Sequence, residues 1–140
     1  MSPIILLILA TILWGIWGIV NKLALEQAHP YSVQWLYSIP YMLVIPIFFW
    51  LGTRTQSGND LNGAAVFWTL LSSIVSIFAV LMMLFAMRSQ PASLAVAVTS
   101  AYPLVTLSIA VLLKMETFSV QKVFGILLII VGLVVLLWQK

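Results

Sequence analysis

The charged residues of this chain are few, and long uncharged stretches separate them. Nine of the 140 side chains carry a formal charge, six basic and three acidic. An average soluble domain has about 25% charged residues, whereas this chain has 6% and could not cover an aqueous surface. The uncharged stretches are residues 1–21, 27–53, 61–87, 89–113 and 123–139. Each suits the helical length of about 17–25 residues that crosses a bilayer. The composition therefore predicts an integral membrane protein.

The positions of the charges predict where each membrane span ends, because a charge must leave the hydrocarbon or pair inside it. Continuous apolar runs such as 4–9 and 126–137 lack the alternation of a membrane β-barrel strand. The first stretch has neither a preceding basic residue nor a following cleavage motif, which argues against a signal peptide. We predict an all-α, polytopic membrane protein that forms a single domain over residues 1–140. Its transmembrane helices are expected at about 3–21, 31–51, 63–87, 92–113 and 121–138.

Several classes of function are disfavoured by composition. Without cysteine the chain cannot form disulfide, zinc–thiolate or iron–sulfur sites, and we expect no cofactor or metal. The net charge of +3 comes from scattered single basic residues, which is not typical of nucleic-acid binding. An intramembrane enzyme is disfavoured because the one histidine lies in the first loop and no acid pair or serine–base pair occurs in mid-span.

The basic residues give no clear membrane orientation. Five spans place Arg54, Lys114 and Lys122 on one side and Lys22, Arg88 and Lys140 on the other, three against three. The positive-inside rule therefore favours neither orientation. Three interpretations remain open. The predicted helix ends are off by a few residues, Lys22 lies inside the bundle and should not be counted, or the chain inserts in both orientations and pairs antiparallel with itself.

Polar residues recur on one face of helices 1, 3 and 4, which indicates packing or a mildly polar cavity. A single serine or threonine more often bonds back to its own helix, but several polar faces in one small bundle favour a cavity for a small uncharged or zwitterionic solute. Lys22, if buried, is the best candidate for binding a substrate carboxylate or carrying a mobile proton. We predict as cavity-lining residues Trp14, Asn21, Lys22, Ser72, Ser76, Thr99 and Tyr102.

Glycine and proline positions predict packing surfaces and bends. Gly15 and Gly18 lie three apart on the polar face of helix 1, and Gly125 and Gly132 lie seven apart on one face of helix 5. The glycine face of helix 5 predicts helix docking or a subunit contact. Pro103 removes a backbone hydrogen bond inside the fourth span and predicts a static bend or a flexing point. For Pro40 and Pro46 we favour a static bend.

Two blocks of residues resemble a known family. In the first, Trp14-Gly15 is followed after six residues by Lys22. In the second, Pro103 is followed by Glu116 at thirteen residues, then by glycines nine and seven residues further on. These intervals resemble the EamA-type half of the drug/metabolite transporter superfamily, and the resemblance covers nearly the whole chain.

The resemblance implies a five-helix unit that most members carry twice, in inverted orientation, around a cavity built mainly from helices 1, 3 and 4. This sequence covers one such unit, so a partner is implied: an antiparallel second copy or a paralogue. Glu116, a residue of the family motif, is expected to cap or orient the turn between helices 4 and 5. Many members have an arginine seven residues after the proline that opens helix 2, where this chain has Tyr37, so their substrate type is not carried over.

The sequence thus predicts a multi-pass transporter of the cell (inner or plasma) membrane, most consistent with an exporter of small metabolites or drug-like molecules. It would work by alternating access, without covalent chemistry, as an antiparallel dimer. The alternative is a non-transporting membrane subunit or assembly factor that packs against a partner membrane protein.

Overall fold

The architecture was taken from a computed structural model, which describes residues 2–54, 62–117 and 119–138. Six helices and no strand occur within these ranges. The helices are α1 (Pro3–Gln27), α2 (Pro30–Arg54), α3 (Gly63–Ser89), α4 (Ala92–Thr99), α5 (Tyr102–Leu112) and α6 (Val120–Leu137).

Five helical stretches in the described part of the chain are long and apolar enough to cross a membrane, with α4 and α5 together forming one of them, Ala92–Leu112. The predicted all-α, five-span fold is therefore confirmed. The break predicted between the spans 63–87 and 92–113 is also present, since α3 ends at Ser89 and α4 begins at Ala92. Most of the connection between the predicted spans 31–51 and 63–87, residues 55–61, lies outside the described residues.

The first helix is longer than predicted. It continues past the expected end at residue 21 to Gln27 and so includes Lys22 and Glu26. The prediction ended the helix at the first charge, on the premise that a charge marks the membrane boundary. Lysine and glutamate are good helix formers, so a helix can continue past a membrane boundary. The Lys22 ammonium also has a partner within the protein, since it donates a hydrogen bond to the Met87 carbonyl.

The fourth span is interrupted between Thr99 and Tyr102, where α4 gives way to α5. Pro103 has no N–H to donate to the carbonyl of Thr99, one turn earlier. The Ser100 N–H is shared between the carbonyls of Val96 at 3.0 Å and Ala97 at 3.1 Å, and the Ala101 N–H closes a tighter turn on the Val98 carbonyl at 3.2 Å. The span predicted over 92–113 is thus one membrane crossing made of two helical segments, whereas α2 remains one helix through both of its internal prolines.

Two compact units make up the chain. One joins the residues up to Ile19 with those from Gln90 onward, and the other is Val20–Ser89. Among the described residues of the second unit, the buried ones lie at the end of α1, the start of α2 and the end of α3: Asn21, Leu25, Pro30, Val33, Leu84 and Met87. In the first unit Gly18, Ala92 and Ala95 are buried. Small residues at these positions allow helices to approach closely.

The last turn of α5 ends in a tight reversal. The N–H of Met115 donates to the Ala110 carbonyl at 2.8 Å, and the N–H of Lys114 donates to the Val111 carbonyl at 3.0 Å. This is the Schellman pattern of helix termination, which places the residue after the cap in the left-handed region. Lys114 occupies that position with φ of 58°, where glycine would be unstrained.

Candidate functional site

Lys22 and Asn21 lie in the buried end of the second unit. The Lys22 side chain is partly buried, and its Nζ donates a hydrogen bond to the Met87 carbonyl oxygen at 2.6 Å. Asn21 is 6% exposed, and among the described residues it is the one polar residue that is buried as a whole. A polar group so well shielded inside a membrane helix marks either a structural hydrogen bond or a functional site.

The surroundings of this pair are apolar and tightly closed. Leu84 and Met87 are both 0% exposed, on the last turns of α3. At the exposed edge of the same end, the Tyr31 ring packs edge-on against Phe85 at 5.2 Å, and His29 packs edge-on against the same ring at 5.8 Å. Nδ1 of His29 also accepts a hydrogen bond from the Tyr31 N–H at 3.3 Å. The lysine ammonium therefore sits in a well-packed region where a carbonyl compensates its charge.

Polar side chains follow one face of α3 in the same unit. Thr69, Ser72 and Ser76 are spaced three and four residues apart, and all three are exposed. Ser73, their neighbour, donates its hydroxyl to the Thr69 carbonyl at 3.0 Å and is therefore satisfied within its own helix. The otherwise apolar helix α3 thus has a row of exposed hydroxyl groups along one face.

The second helix adds a pair of tyrosines to the second unit. The hydroxyl oxygens of Tyr37 and Tyr41 lie 2.8 Å apart in a hydrogen bond, and their rings pack edge-on at 5.4 Å. Tyr37 stands where many family members have an arginine. This chain therefore has a hydroxyl group at residue 37, hydrogen-bonded to Tyr41, in place of the guanidinium group of those members.

Three of the predicted cavity residues belong to the first unit. The Trp14 ring is exposed and lies 5.6 Å from that of Trp17. The Thr99 hydroxyl bonds back to α4, with the Val96 carbonyl at 2.9 Å. Tyr102 is exposed at the start of α5, directly after the helix break. The seven residues predicted to line a cavity are therefore divided: Trp14, Thr99 and Tyr102 in one unit, and Asn21, Lys22, Ser72 and Ser76 in the other.

The glycines predicted as packing positions differ in their surroundings. A Cβ atom added to Gly18 would lie 3.0 Å from Val96 Cγ2, so α1 and α4 are in close contact there. A Cβ added to Gly15, Gly125 or Gly132 would have no heavy atom within 4 Å in the described structure. Helix contact through a glycine is thus present at Gly18, and the other three glycine faces are open.

Glu116 forms an ion pair with Lys122 across the connection between α5 and α6. Both side chains are nearly half exposed, at 44% for Glu116 and 48% for Lys122. The contact bridges the Schellman turn and the first turn of α6. An orienting role for Glu116 in this turn is consistent with that position.

Two features of the site did not figure in the sequence prediction. The Met87 carbonyl is the partner of Lys22, although Pro91, four residues after Met87, was a signal that this carbonyl lacks its usual donor. The side-chain oxygen of Gln34 is buried and has no hydrogen-bond partner in the described structure. No sequence signal distinguishes Gln34 from the other polar residues of helix 2.

The described residues contain no group of three or more His, Cys, Asp or Glu side chains that could hold a metal ion. A comparison with protein-family models then decides the family. The model described as the EamA-like transporter family matches residues 1–138. This chain belongs to the EamA-like transporter family. A search of curated proteins and a search of solved structures each found no match.

Membership assigns this EamA-like chain to the membrane transporters of the drug/metabolite superfamily, a family of transporters and not of enzymes. With its five apolar spans it is a multi-pass membrane protein. The resemblance read from the intervals around Trp14-Gly15 and Pro103 is therefore confirmed, and the match extends over nearly the whole chain.

Proposed function

We propose that this EamA-like chain exports small metabolites or drug-like molecules across the cell membrane (inner or plasma), by alternating access, as an antiparallel homodimer. The observation that carries the proposal is the family match over residues 1–138, which falls on one set of five spans. We propose that these spans act together as one membrane domain. Transporters of this general kind place their binding site between inverted repeats near the membrane midplane, so one set of spans needs an inverted partner.

The even distribution of basic residues supports an antiparallel partner. Three basic residues fall on each side of the membrane in a five-span topology. The Lys22 ammonium is held by a backbone carbonyl, and without it the count is three against two. The difference stays small in either case, so the charges favour neither orientation strongly.

Exposed polar and glycine faces also support a second subunit. Ser72 and Ser76 expose hydroxyl groups on α3, and a hydroxyl facing hydrocarbon is unfavourable unless water or protein covers it. Gly125 and Gly132 on α6 have open space above them, where a partner helix could approach closely. In the proposed dimer the α3 face contacts substrate and the α6 face contacts protein.

The residues proposed to contact the solute are those that the sequence singled out: Trp14, Asn21, Lys22, Ser72, Ser76, Thr99 and Tyr102. Their chemistry is neutral apart from Lys22, and no described residue of the spans places an acidic group in mid-helix. A set of hydroxyl, amide and aromatic groups suits a small uncharged or zwitterionic solute. The break before Pro103 is proposed as the flexing point of the fourth span. Bending there would move Thr99 and Tyr102, the two proposed solute contacts that flank the break.

A substrate screen with purified chain in proteoliposomes tests the proposal. Liposomes are loaded with a mixture of zwitterionic and neutral metabolites and cationic dyes, and efflux is followed by mass spectrometry and fluorescence. We expect efflux of at least one solute class with this chain alone. Transport that appears only after a second membrane protein is added would show that the chain is a subunit, which is the alternative function. A Ser72→Ala/Ser76→Ala chain that is folded but slower would place the α3 face in the pathway.

A further inference from the structure

The carbonyl that binds Lys22 is one that its own helix cannot satisfy. Within a helix a carbonyl accepts a hydrogen bond from the N–H four residues later, and in the last turn an N–H just beyond the helix can take this place. For Met87 that residue is Pro91, which has no N–H. The Met87 residue is fully buried, so water is a poor substitute donor. An unpaired carbonyl there would be costly.

The Lys22 ammonium supplies the missing donor. Its Nζ lies 2.6 Å from the Met87 oxygen, which is the short distance of a charge-assisted hydrogen bond. A cation at the C-terminal turn of α3 also interacts favourably with the helix dipole. The bond joins α1 to α3 through two residues that are 65 positions apart in sequence. It lies at the end of the second unit that contains the buried residues described above.

We propose that Lys22 is a positioning residue that acts as a latch: its ammonium replaces the N–H denied to Met87 by Pro91, and so holds the end of α1 closed on the end of α3. Breaking the Lys22–Met87 bond opens this end of the unit. The latch is a property of the folded chain and does not depend on the identity of the solute or on the proposed dimer.

The absence of native cysteine makes a direct test possible. A Leu84→Cys chain places one thiol at a residue that is 0% exposed beside Met87, and a Ser89→Cys chain places one at an exposed position at the end of the same helix. The rate of reaction with N-ethylmaleimide in detergent micelles then reports opening at Leu84 and general reactivity at Ser89. Each thiol is combined with Lys22→Met, which removes the donor, and with Lys22→Arg, which keeps one.

We expect Lys22→Met to raise the labelling rate at Leu84→Cys about tenfold or more, the factor that corresponds to losing a charged hydrogen bond. Labelling at Ser89→Cys should stay unchanged, and Lys22→Arg should restore slow labelling at Leu84→Cys. Lys122→Met, which removes a lysine from an exposed ion pair, serves as the matched control and should leave both rates unchanged. An unchanged Leu84→Cys rate in Lys22→Met, or equal rates in the Met and Arg variants, would overturn the latch.

A second arm tests why the latch is needed. In the Lys22→Met chain, Pro91→Ala supplies an N–H four residues after Met87 and should slow the labelling of Leu84→Cys again. Pro103→Ala, the same substitution twelve residues further along the chain, should not do so. If Lys22→Met is too unstable to isolate, the same comparison is made on the yield of monodisperse folded protein. A Pro91→Ala substitution without effect on Lys22→Met in either measurement would refute the role of Pro91.

Discussion

The contact between Gly18 and Val96 predicts that adding a side chain at Gly18 destabilises the protein. The neighbouring Gly15 provides a matched control. A Cβ at Gly18 would lie 3.0 Å from Val96 Cγ2, about half an ångström or more inside the usual separation of two carbon atoms. At Gly15, one turn earlier on the same helix, a Cβ would meet open space. The two Gly→Ala substitutions have the same chemistry, so the difference between them isolates the packing of α1 on α4.

The expected change in the free energy of unfolding is the sum of two opposing contributions, helix propensity and overpacking. Replacing a helical glycine with alanine stabilises by about 0.5–1 kcal/mol, whereas overpacking a close contact costs about 1–3 kcal/mol. Gly15→Ala should therefore raise the free energy of unfolding by about 0.5–1 kcal/mol. Gly18→Ala should lower the free energy of unfolding, by up to about 2.5 kcal/mol when the overpacking cost is combined with the gain in helix propensity. Val96 is β-branched and stiff at χ1, so it cannot swing aside at little cost.

Reversible unfolding in mixed micelles, with sodium dodecyl sulfate as denaturant and far-UV circular dichroism as the signal, measures these differences. The double variant Gly18→Ala/Val96→Ala removes the clash and should show a favourable coupling energy of about 0.5–3 kcal/mol. Equal effects of Gly15→Ala and Gly18→Ala, together with a coupling energy near zero, would refute the proposed contact between α1 and α4.

Three further substitutions give defined outcomes. Lys114→Gly should raise the free energy of unfolding by about 0.5–1 kcal/mol in the same assay, because Lys114 has a φ of 58°; destabilisation would contradict the left-handed conformation. Glu116→Gln should cost less than about 1 kcal/mol, and less still in concentrated salt, because its ion pair with Lys122 is exposed; a larger cost insensitive to salt would contradict this assignment. Pro103→Ala should join α4 and α5 by restoring a donor for the Thr99 carbonyl, seen as slow hydrogen exchange at the residue 103 amide; fast exchange there would show that other residues cause the break.

Most of the fold follows from the sequence because the bilayer imposes simple rules. Uncharged stretches of the right length become spanning helices, and their order along the chain is fixed. The limits of this reasoning are visible at Lys22, where the charge was taken as a boundary and the helix continues for a further turn. A charge marks a membrane boundary without ending a helix, since lysine and glutamate are good helix formers, and the Met87 carbonyl that binds Lys22 is 65 residues away in the sequence.

The site was less predictable than the fold because a polar face does not specify what covers it. Thr99 was predicted to line a cavity, yet its hydroxyl also bonds to its own helix. The four glycines looked equivalent in sequence, but the structure packs a neighbour against Gly18 and leaves Gly15 open. Such differences depend on which helix lies opposite, and periodicity within one helix carries no information about that.

The orientation of the chain in its native membrane tests the antiparallel account most directly. A Ser2→Cys chain carries a single thiol near the start of α1, since the protein has no native cysteine. We expect about half of the molecules to react with a membrane-impermeant maleimide in intact cells and the remainder only after permeabilisation, because the basic residues are nearly balanced. Complete labelling from one side only, with no partner of opposite topology in the purified assembly, would contradict the account.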